Sequence, residues 1–372
     1  MKVIGVGPVQ RSMGGASVAL PLDSAISLTN PSAMTELDRR IDLAVTYFSP
    51  DVGYKATSDS GMVTRNNTFI CSDMSSCVMP AIGMILPVNE KYTFGFGAYG
   101  VCGMGVDYKT NLYHNVTYTE YQFMKFAPAI AHRLNDEFSI GATLNVDYAT
   151  MEFNAGSPIE QSHENGEAFG IGVVVGTMYR LNDNITLGFS YESKQSFSDF
   201  SFDTPVGTDK LRLNQPQSLT CGLAMKPINR LRVAFDVSWI DWPQVVGKNL
   251  PAYTQNESGA TPWNMNWDEQ WVYKLGFEYD IDAKTKFRLG YNYAKNPLDS
   301  NRAFETIAFP AIAQHHITGG FAKELTNKLI LNLGVMYAPE VSFNAANVNQ
   351  FIDSSTTKMS QCSVDVGITY LF

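Results

Sequence analysis

Seven cations stand in what would be the polar rows of alternating strands: Lys125, Arg133, Arg180, Lys226, Arg232, Lys274 and Arg288. A cation among apolar side chains is the group that would anchor a carboxylate, and small-molecule sites are mostly apolar with a few polar anchors. Val174, Met178, Ile240, Ile330 and Met336 fall in the same rows. With Lys274 and Arg288 they form the candidate ligand set, although packing against a plug is equally open to them. Arg133 and Arg180, each followed by Leu-Asn-Asp, are expected to fasten a hatch or the barrel floor. Little other chemistry is legible. The histidines (His114, His132, His163, His315 and His316) form no ligand set and no CxxC pair occurs, so no metal or other cofactor is expected. His315 and His316 share a strand, but no serine sits in a recognisable setting beside them, as a hydrolytic triad requires. The chain reads as a carrier or binder, not an enzyme.

The elements that must position these residues are strands. Charged residues make up 17% of the chain and aromatics 12%, against roughly a quarter charged in ordinary globular proteins. Mean hydropathy is −0.11, too polar for a bundle of membrane helices. No apolar run approaches the roughly twenty residues a spanning helix needs. The formal net charge of −9 leaves no basic patch and excludes a nucleic-acid partner.

Strict period two appears instead. At the end of the chain Cys362, Val364, Val366, Ile368, Tyr370 and Phe372 alternate with Gln361, Ser363, Asp365, Gly367 and Thr369. The same two rows recur at 229–241, 269–281 and 284–296. Placing the charged row in lipid would cost roughly 2–4 kcal/mol per Arg or Lys at the midplane, so the bulky row faces lipid and the polar row a lumen. Fourteen such strands are expected, near 41–57, 78–89, 91–108, 117–134, 137–155, 166–181, 184–203, 215–227, 229–241, 269–281, 284–296, 312–323, 327–339 and 359–372. Six connections are tight and rich in Asn, Asp and Lys, and the other seven are mostly longer. Asn and Asp tolerate hairpin geometry. Short turns at one end and long loops at the other mark an outer-membrane barrel. The fold class is therefore all-β: a membrane-spanning antiparallel 14-stranded β-barrel, formed by 41–372.

Residues 1–40 break the alternation with Gly5, Gly7, Pro8, Gly14, Gly15, Pro21 and Pro31, and read as a small N-terminal hatch plugging that barrel. Two short helices are expected there, one capped by Asp23, the other by Asn30 with Pro31 in its first turn. Met1-Lys2-Val3 leads into no apolar run, so the chain is read as a form whose export signal has been removed. Cys71 and Cys77 share a polar loop and could pair in an oxidising compartment, whereas Cys221 and Cys362 read as small buried or lipid-facing residues.

Arg11-Ser12-Met13-Gly14-Gly15-Ala16-Ser17-Val18-Ala19, Asp23-Ser24-Ala25 and Asn30-Pro31-Ser32-Ala33-Met34 together resemble the start of the FadL/TodX (OmpP1) family of outer-membrane hydrophobic-compound transporters. That family carries an Asn-Pro-Ala element in its hatch, and Ser32 is a small departure from it. The resemblance implies a bacterial outer-membrane protein, a hatch within fourteen strands, and a kink in the third strand through which ligand leaves sideways into the bilayer. Asn30, Pro31 and Ser32 would then serve as gate as well as helix cap, beside that kink. Tyr99, Gly100, Gly103 and Gly105 would form the wall opening. Glycines within a strand mark bulges or close backbone approach, so Gly95, Gly97, Gly100, Gly103 and Gly105 either leave a gap or make room for the plug. The loop after strand three (about 109–116) is shorter than in the long-chain fatty-acid transporter, which leaves outer-surface capture to 58–77 and 242–268. The function expected is passive uptake of a fatty acid, alkane or aromatic by a monomer in the lipid bilayer. The alternative is a partner-binding barrel of a secretion machine, with the tryptophans of 242–268 (Trp242, Trp263, Trp267) as docking surface.

Overall fold

The chain's architecture follows from one inversion: its apolar row faces outward and its charges face in. Val364, Val366, Ile368 and Tyr370 are exposed, while Ser363, Asp365 and Thr369 between them are buried. That arrangement is stable only where the surrounding solvent is lipid. The computed structural model describes residues 2–58, 67–109, 116–155, 161–205, 207–250, 252–254, 260–303, 306–346 and 352–372.

Among the described residues fourteen antiparallel strands form one closed wall. They are β1 (Arg40–Thr57), β2 (Cys77–Pro87), β3 (Tyr92–Asp107), β4 (Val116–Phe126, resuming as Ala129–Arg133), β5 (Phe138–Ala155), β6 (Gln161–Asn182) and β7 (Ile185–Glu192). After these come β8 (Ser218–Ile228), β9 (Leu231–Ile240), β10 (Gln270–Asp282), β11 (Thr285–Ala294), β12 (His315–Thr326), β13 (Leu329–Ala346) and β14 (Ser354–Leu371). β14 returns to β1 and pairs from Arg40↔Leu371 to Thr57↔Ser354 without a register shift. Closure removes the strand edge that lipid could not solvate. The tight turns fold as their Asn residues predict: Asn89 Oδ1 accepts from Lys91 N and Tyr92 N, both at 2.9 Å, and Asn135 Oδ1 accepts from Glu137 N and Phe138 N.

At the other end the long connections fold inward. Phe200–Thr204, Gly207–Arg212, Ala252–Thr254 and Ala260–Pro262 make a separate four-stranded sheet. Beneath it lies a core that includes Phe153, Phe200, Phe202, Trp242, Trp267, Ile307, Phe309 and Ile312. This is where the structure departs from the expected strand seven. The wall strand stops at Glu192, because the following residues turn in: Gln195 covers Gly172 and Phe197 covers Gly170 on β6. The cysteines also differ from expectation. Cys77 is disulfide-bonded, but Cys71 is a free, exposed thiol, so the two are not joined to each other. Cys71 is held elsewhere, in a two-residue strand (Ile70–Cys71) paired with Gly53 and Tyr54. Cys221 and Cys362 are exposed on the outer face.

The N-terminal residues fill the barrel's short-turn half. Helix α1 (Gly7–Ser12) has Pro8 in its first turn, α2 (Ile26–Thr29) is a single turn, and a 3₁₀ turn spans Pro31–Glu36. Asn30 caps the last as expected, its Oδ1 accepting from Ser32 N at 3.3 Å. Asp23 does not cap α2; it is buried and accepts from Gln10 Nε2 at 3.3 Å.

Candidate functional site

A cavity of about 230 Å³ lies in the lumen above this plug. Its floor is the plug itself (Val3, Ile4, Arg11, Val18, Leu28, Thr29), and its walls include Ile240, Trp242, Val272, Ala294 and Met336. Lys2 closes one side, with its Nζ 2.6 Å from Glu192 and also bonded to Ser218. Lys125 reaches the same carboxylate at 2.9 Å.

The structure separates the seven candidate cations by their partners. Arg133 (3.0 Å) and Arg180 both grip Glu36 of the plug. Arg232 and Arg288 share the fully buried Glu278, at 2.8 and 2.6 Å, and Arg288 also donates to Asn332 at 3.3 Å. Lys226 lies beside the 229–230 turn. Lys274 alone of the seven lines the cavity. Among the described residues its ammonium group forms no hydrogen bond or ion pair within 4.0 Å. Its cross-strand neighbours are Asp236 and Asn292; Asn292 and one oxygen of Asp236 are bonded to the plug, while the other, Oδ1, has no hydrogen-bond partner among the described residues. Asp236 accepts from Ser17 N at 2.8 Å and Val18 N at 3.1 Å, and Asn292 donates to Gly14 O at 3.2 Å. Lys274 is thus a charge held at the plug end of the cavity with its donors unspent.

Of the apolar candidates, Ile240 and Met336 line the cavity with Lys274. Met178 packs with Ile26, Ala33 and Met34 of the plug. Val174 is fully buried and Ile330 half-buried, and neither lines the cavity. Of the paired histidines, His315 turns outward to Tyr291 Oη (2.6 Å), while His316 faces the cavity. The tryptophans of 242–268 also turn inward: Trp242 and Trp267 are buried, and the Trp263 ring lies tilted against Phe309 with centroids 5.3 Å apart.

Asn30 does more than cap. Its Nδ2 donates to Val18 O at 2.7 Å within the plug and to Thr177 O at 3.1 Å on β6. Pro31 and Ser32 lie against Gly141 of β5, and Ser139 donates to Ser32 O at 3.1 Å. The Asn-Pro-Ser element therefore meets β5 and β6, whereas β3 is met through Ser24 and Ser27. Nearby, burial and then the Asp42 carboxylate push the Asp23 carboxyl up to about 7.

The third strand carries a break in its register. One extra β3 residue stands between the pairs Cys102↔Gln122 and Gly105↔Glu120, and the buried row changes from Tyr99 and Val101 to Val106 and Tyr108. Gly103 lies within this bulge, and its surroundings fall outside the described residues. β4 is interrupted further toward the short turns, at Ala127–Pro128, between the pairs Ala98↔Phe126 and Gly95↔Ala129. The Tyr99 ring folds back over Gly97, and its hydroxyl donates to Ser24 O at 3.3 Å. Gly100 abuts Pro80 of β2, and Gly105 faces Met74.

Sequence reasoning missed one feature of the plug's seat. A methyl at Gly176 would overlap Asn30 Oδ1, and one at Gly290 would overlap Gly14 N. Gly188, Gly222, Gly276, Gly320 and Gly367 also face the plug. The signal was present as a glycine in the polar row of strand after strand, but only the third strand's glycines were weighed.

The family described as "Outer membrane protein transport protein (OMPP1/FadL/TodX)" matches residues 5–372. The long-chain fatty acid transport protein of Escherichia coli (strain K12) is 20% identical over 371 residues, covering 83% of this chain and 80% of that one. Outer membrane protein P1 of Haemophilus influenzae is 20% identical over 383 residues, covering 86% and 81%. Among solved structures, the Pseudomonas putida toluene transporter TodX aligns with a TM-score of 0.81 at 17% identity, covering 100% of this chain and 99% of that one. A Pseudomonas aeruginosa FadL homologue also aligns at 0.81, with 15% identity and the same coverage.

Proposed function

Because the chain belongs to the OMPP1/FadL/TodX family of outer membrane transport proteins, we propose that it takes up hydrophobic small molecules passively across the bacterial outer membrane. The ligand binds in the lumen and leaves sideways at the third strand. Its preferred cargo is an amphiphile with a carboxylate head, as in a long-chain fatty acid. The observation that carries this reading is Lys274, unpaired at the plug end of a cavity otherwise walled largely by apolar side chains. Asp236 stands nearby without bonding it, so the ammonium keeps its donors free for the carboxylate of an ionised acid. Sideways exit is supported by the bulge between Cys102 and Gly105 and by the plug's attachment to the wall. A closed wall has no edge to share, and the protein acts as a monomer.

The test compares a fatty acid with its methyl ester, binding each to the purified barrel in micelles. Hydrogen bonds to charged groups contribute about 1.5–3 kcal/mol, so Lys274→Met should weaken the acid at least tenfold and change the ester little. A wild-type protein that binds acid and ester equally well would overturn the assignment of cargo.

A further inference from the structure

We propose that Ala311 and Ala313, on the segment joining β11 to β12, set the length of apolar ligand that the lumen accepts. The proposal rests on the function argued above and adds to it the residues that select.

The cavity has two unlike ends. At the plug end stands Lys274, flanked by residues bonded to the plug. On the long-loop side of Lys274, as the register of β10 to β12 places it, the lining includes Val272 and Gln270, Trp242 and Pro297, and Ala311 and Ala313. With the plug below, an acid whose head lies at Lys274 extends its tail toward the long loops and meets those two alanines.

That ceiling is firmly backed. Ile307, Ala308, Phe309 and Ile312 are fully buried in the outer core. Tyr108 Oη donates to Ile307 O at 3.1 Å, and Thr119 Oγ1 donates to Ala308 O at 2.8 Å. Turn bonds from Ala311 N to Phe309 O (2.8 Å) and from Ile312 N to Pro310 O (2.9 Å) hold the backbone tightly folded. Ile312 turns into the core, while the alanine on either side of it faces the cavity. With bulky residues behind it and only methyl groups in front, the ceiling cannot retreat, so a larger side chain at either alanine takes its volume from the ligand. Each buried carbon is worth about fourfold in affinity, and the three that leucine adds to alanine well over tenfold.

The test is a chain-length profile: displacement binding of saturated fatty acids from octanoate to stearate by the purified full-length barrel, read as the ratio of long- to short-chain affinity. Ala313→Leu and Ala311→Leu should each lower that ratio at least tenfold. Ala313→Gly should raise it about fourfold, the value of one buried carbon. The glycine variant keeps the test decisive should a leucine variant fail to show the heat-dependent gel shift of a folded barrel. Ratios that stay at the wild-type value, or that move the same way for glycine and leucine, overturn the proposal. A wild-type barrel that binds no fatty acid overturns the function it rests on as well, whereas binding without a length response overturns the ceiling alone.

Discussion

Replacing Asn30 should release the plug while leaving the wall intact, and the choice of replacement shows which of its bonds matters. In Asn30→Ala the 3₁₀ turn loses its cap, worth about 1 kcal/mol. Val18 O and Thr177 O lose the donor Nδ2, and a buried polar group left without a partner costs roughly 1–3 kcal/mol. The sum is about 3–7 kcal/mol, or on the order of a hundred- to a hundred-thousandfold in the population of an opened plug at 1.4 kcal/mol per decade. Asn30→Asp separates the two roles. Aspartate caps as well as asparagine does, but it donates nothing and turns a carboxylate toward two carbonyl oxygens. If capping were the whole role, Asp would match Asn. If the bridge to β6 dominates, Asp should be at least as damaging as Ala. Hydrogen exchange read by mass spectrometry on micelle-bound protein resolves this, comparing plug peptides across 16–36 with wall peptides from β12 to β14. Faster exchange in the plug alone, with Asp no better than Ala, is the expected outcome. An Asp variant as protected as wild type would refute the bridging argument.

Asp23 gives the plug a pH dependence. Its folded value, near 7, lies above the ordinary 3.8, so between those values the seated plug holds a proton that the released plug gives up. Stability from this group is present in full below about 4 and is lost as pH rises through 7. Plug exchange, corrected for intrinsic rate, should therefore quicken from pH 5 to pH 8 and lose that slope in Asp23→Asn; a plug that tightens with rising pH would reverse the sign. Filling the wall at Gly103 with tryptophan should abolish uptake in cells while the purified barrel still shows its heat-dependent gel shift. Uptake at the wild-type rate would remove the third strand from the route.

Much of the wall was legible because lipid makes it so. A strand with solvent on one side can tolerate lapses in alternation, but one between bilayer and lumen pays for each charge placed outward. The rows at 229–241, 269–281 and 284–296 were therefore readable residue by residue, and so were the Asn-rich turns. What was hidden depended on which polar groups meet across the lumen. Nothing in sequence spacing says that Arg133 and Arg180 converge on Glu36, or that Arg232 and Arg288 converge on Glu278. Lys274 was one cation among seven until those pairings removed its rivals. The inward fold of 295–314 was illegible for a related reason. Its alanines, prolines and Ile307, Phe309 and Ile312 have no period, and only the outer core explains them.

The proposed sideways exit can be weighed against exit through the plug. Moving the plug aside would break Asn30 to β6, Asp236 to two backbone amides, Asn292 and Thr318 to the Gly14 region, and the Arg11–Asp365 pair at 3.2 Å, besides freeing Glu36 from two arginines. Breaking one partner from a buried ion pair alone costs about 3–5 kcal/mol, and each buried hydrogen bond left unmade adds roughly 1–3 kcal/mol. The total runs well past 10 kcal/mol, comparable to the whole stability of a typical domain. At the third strand the bulge has already interrupted the ladder between Cys102 and Gly105. Widening that place requires parting only the few ladder bonds that flank it, although each of these costs several kcal/mol where lipid cannot replace it. An acyl chain leaving by that route stays in apolar surroundings from cavity to lipid, so no apolar surface is returned to water on the way. On the proposed route the chain never meets water, whereas the same chain passing the plug would emerge into water at a cost of roughly 0.8 kcal/mol for each methylene.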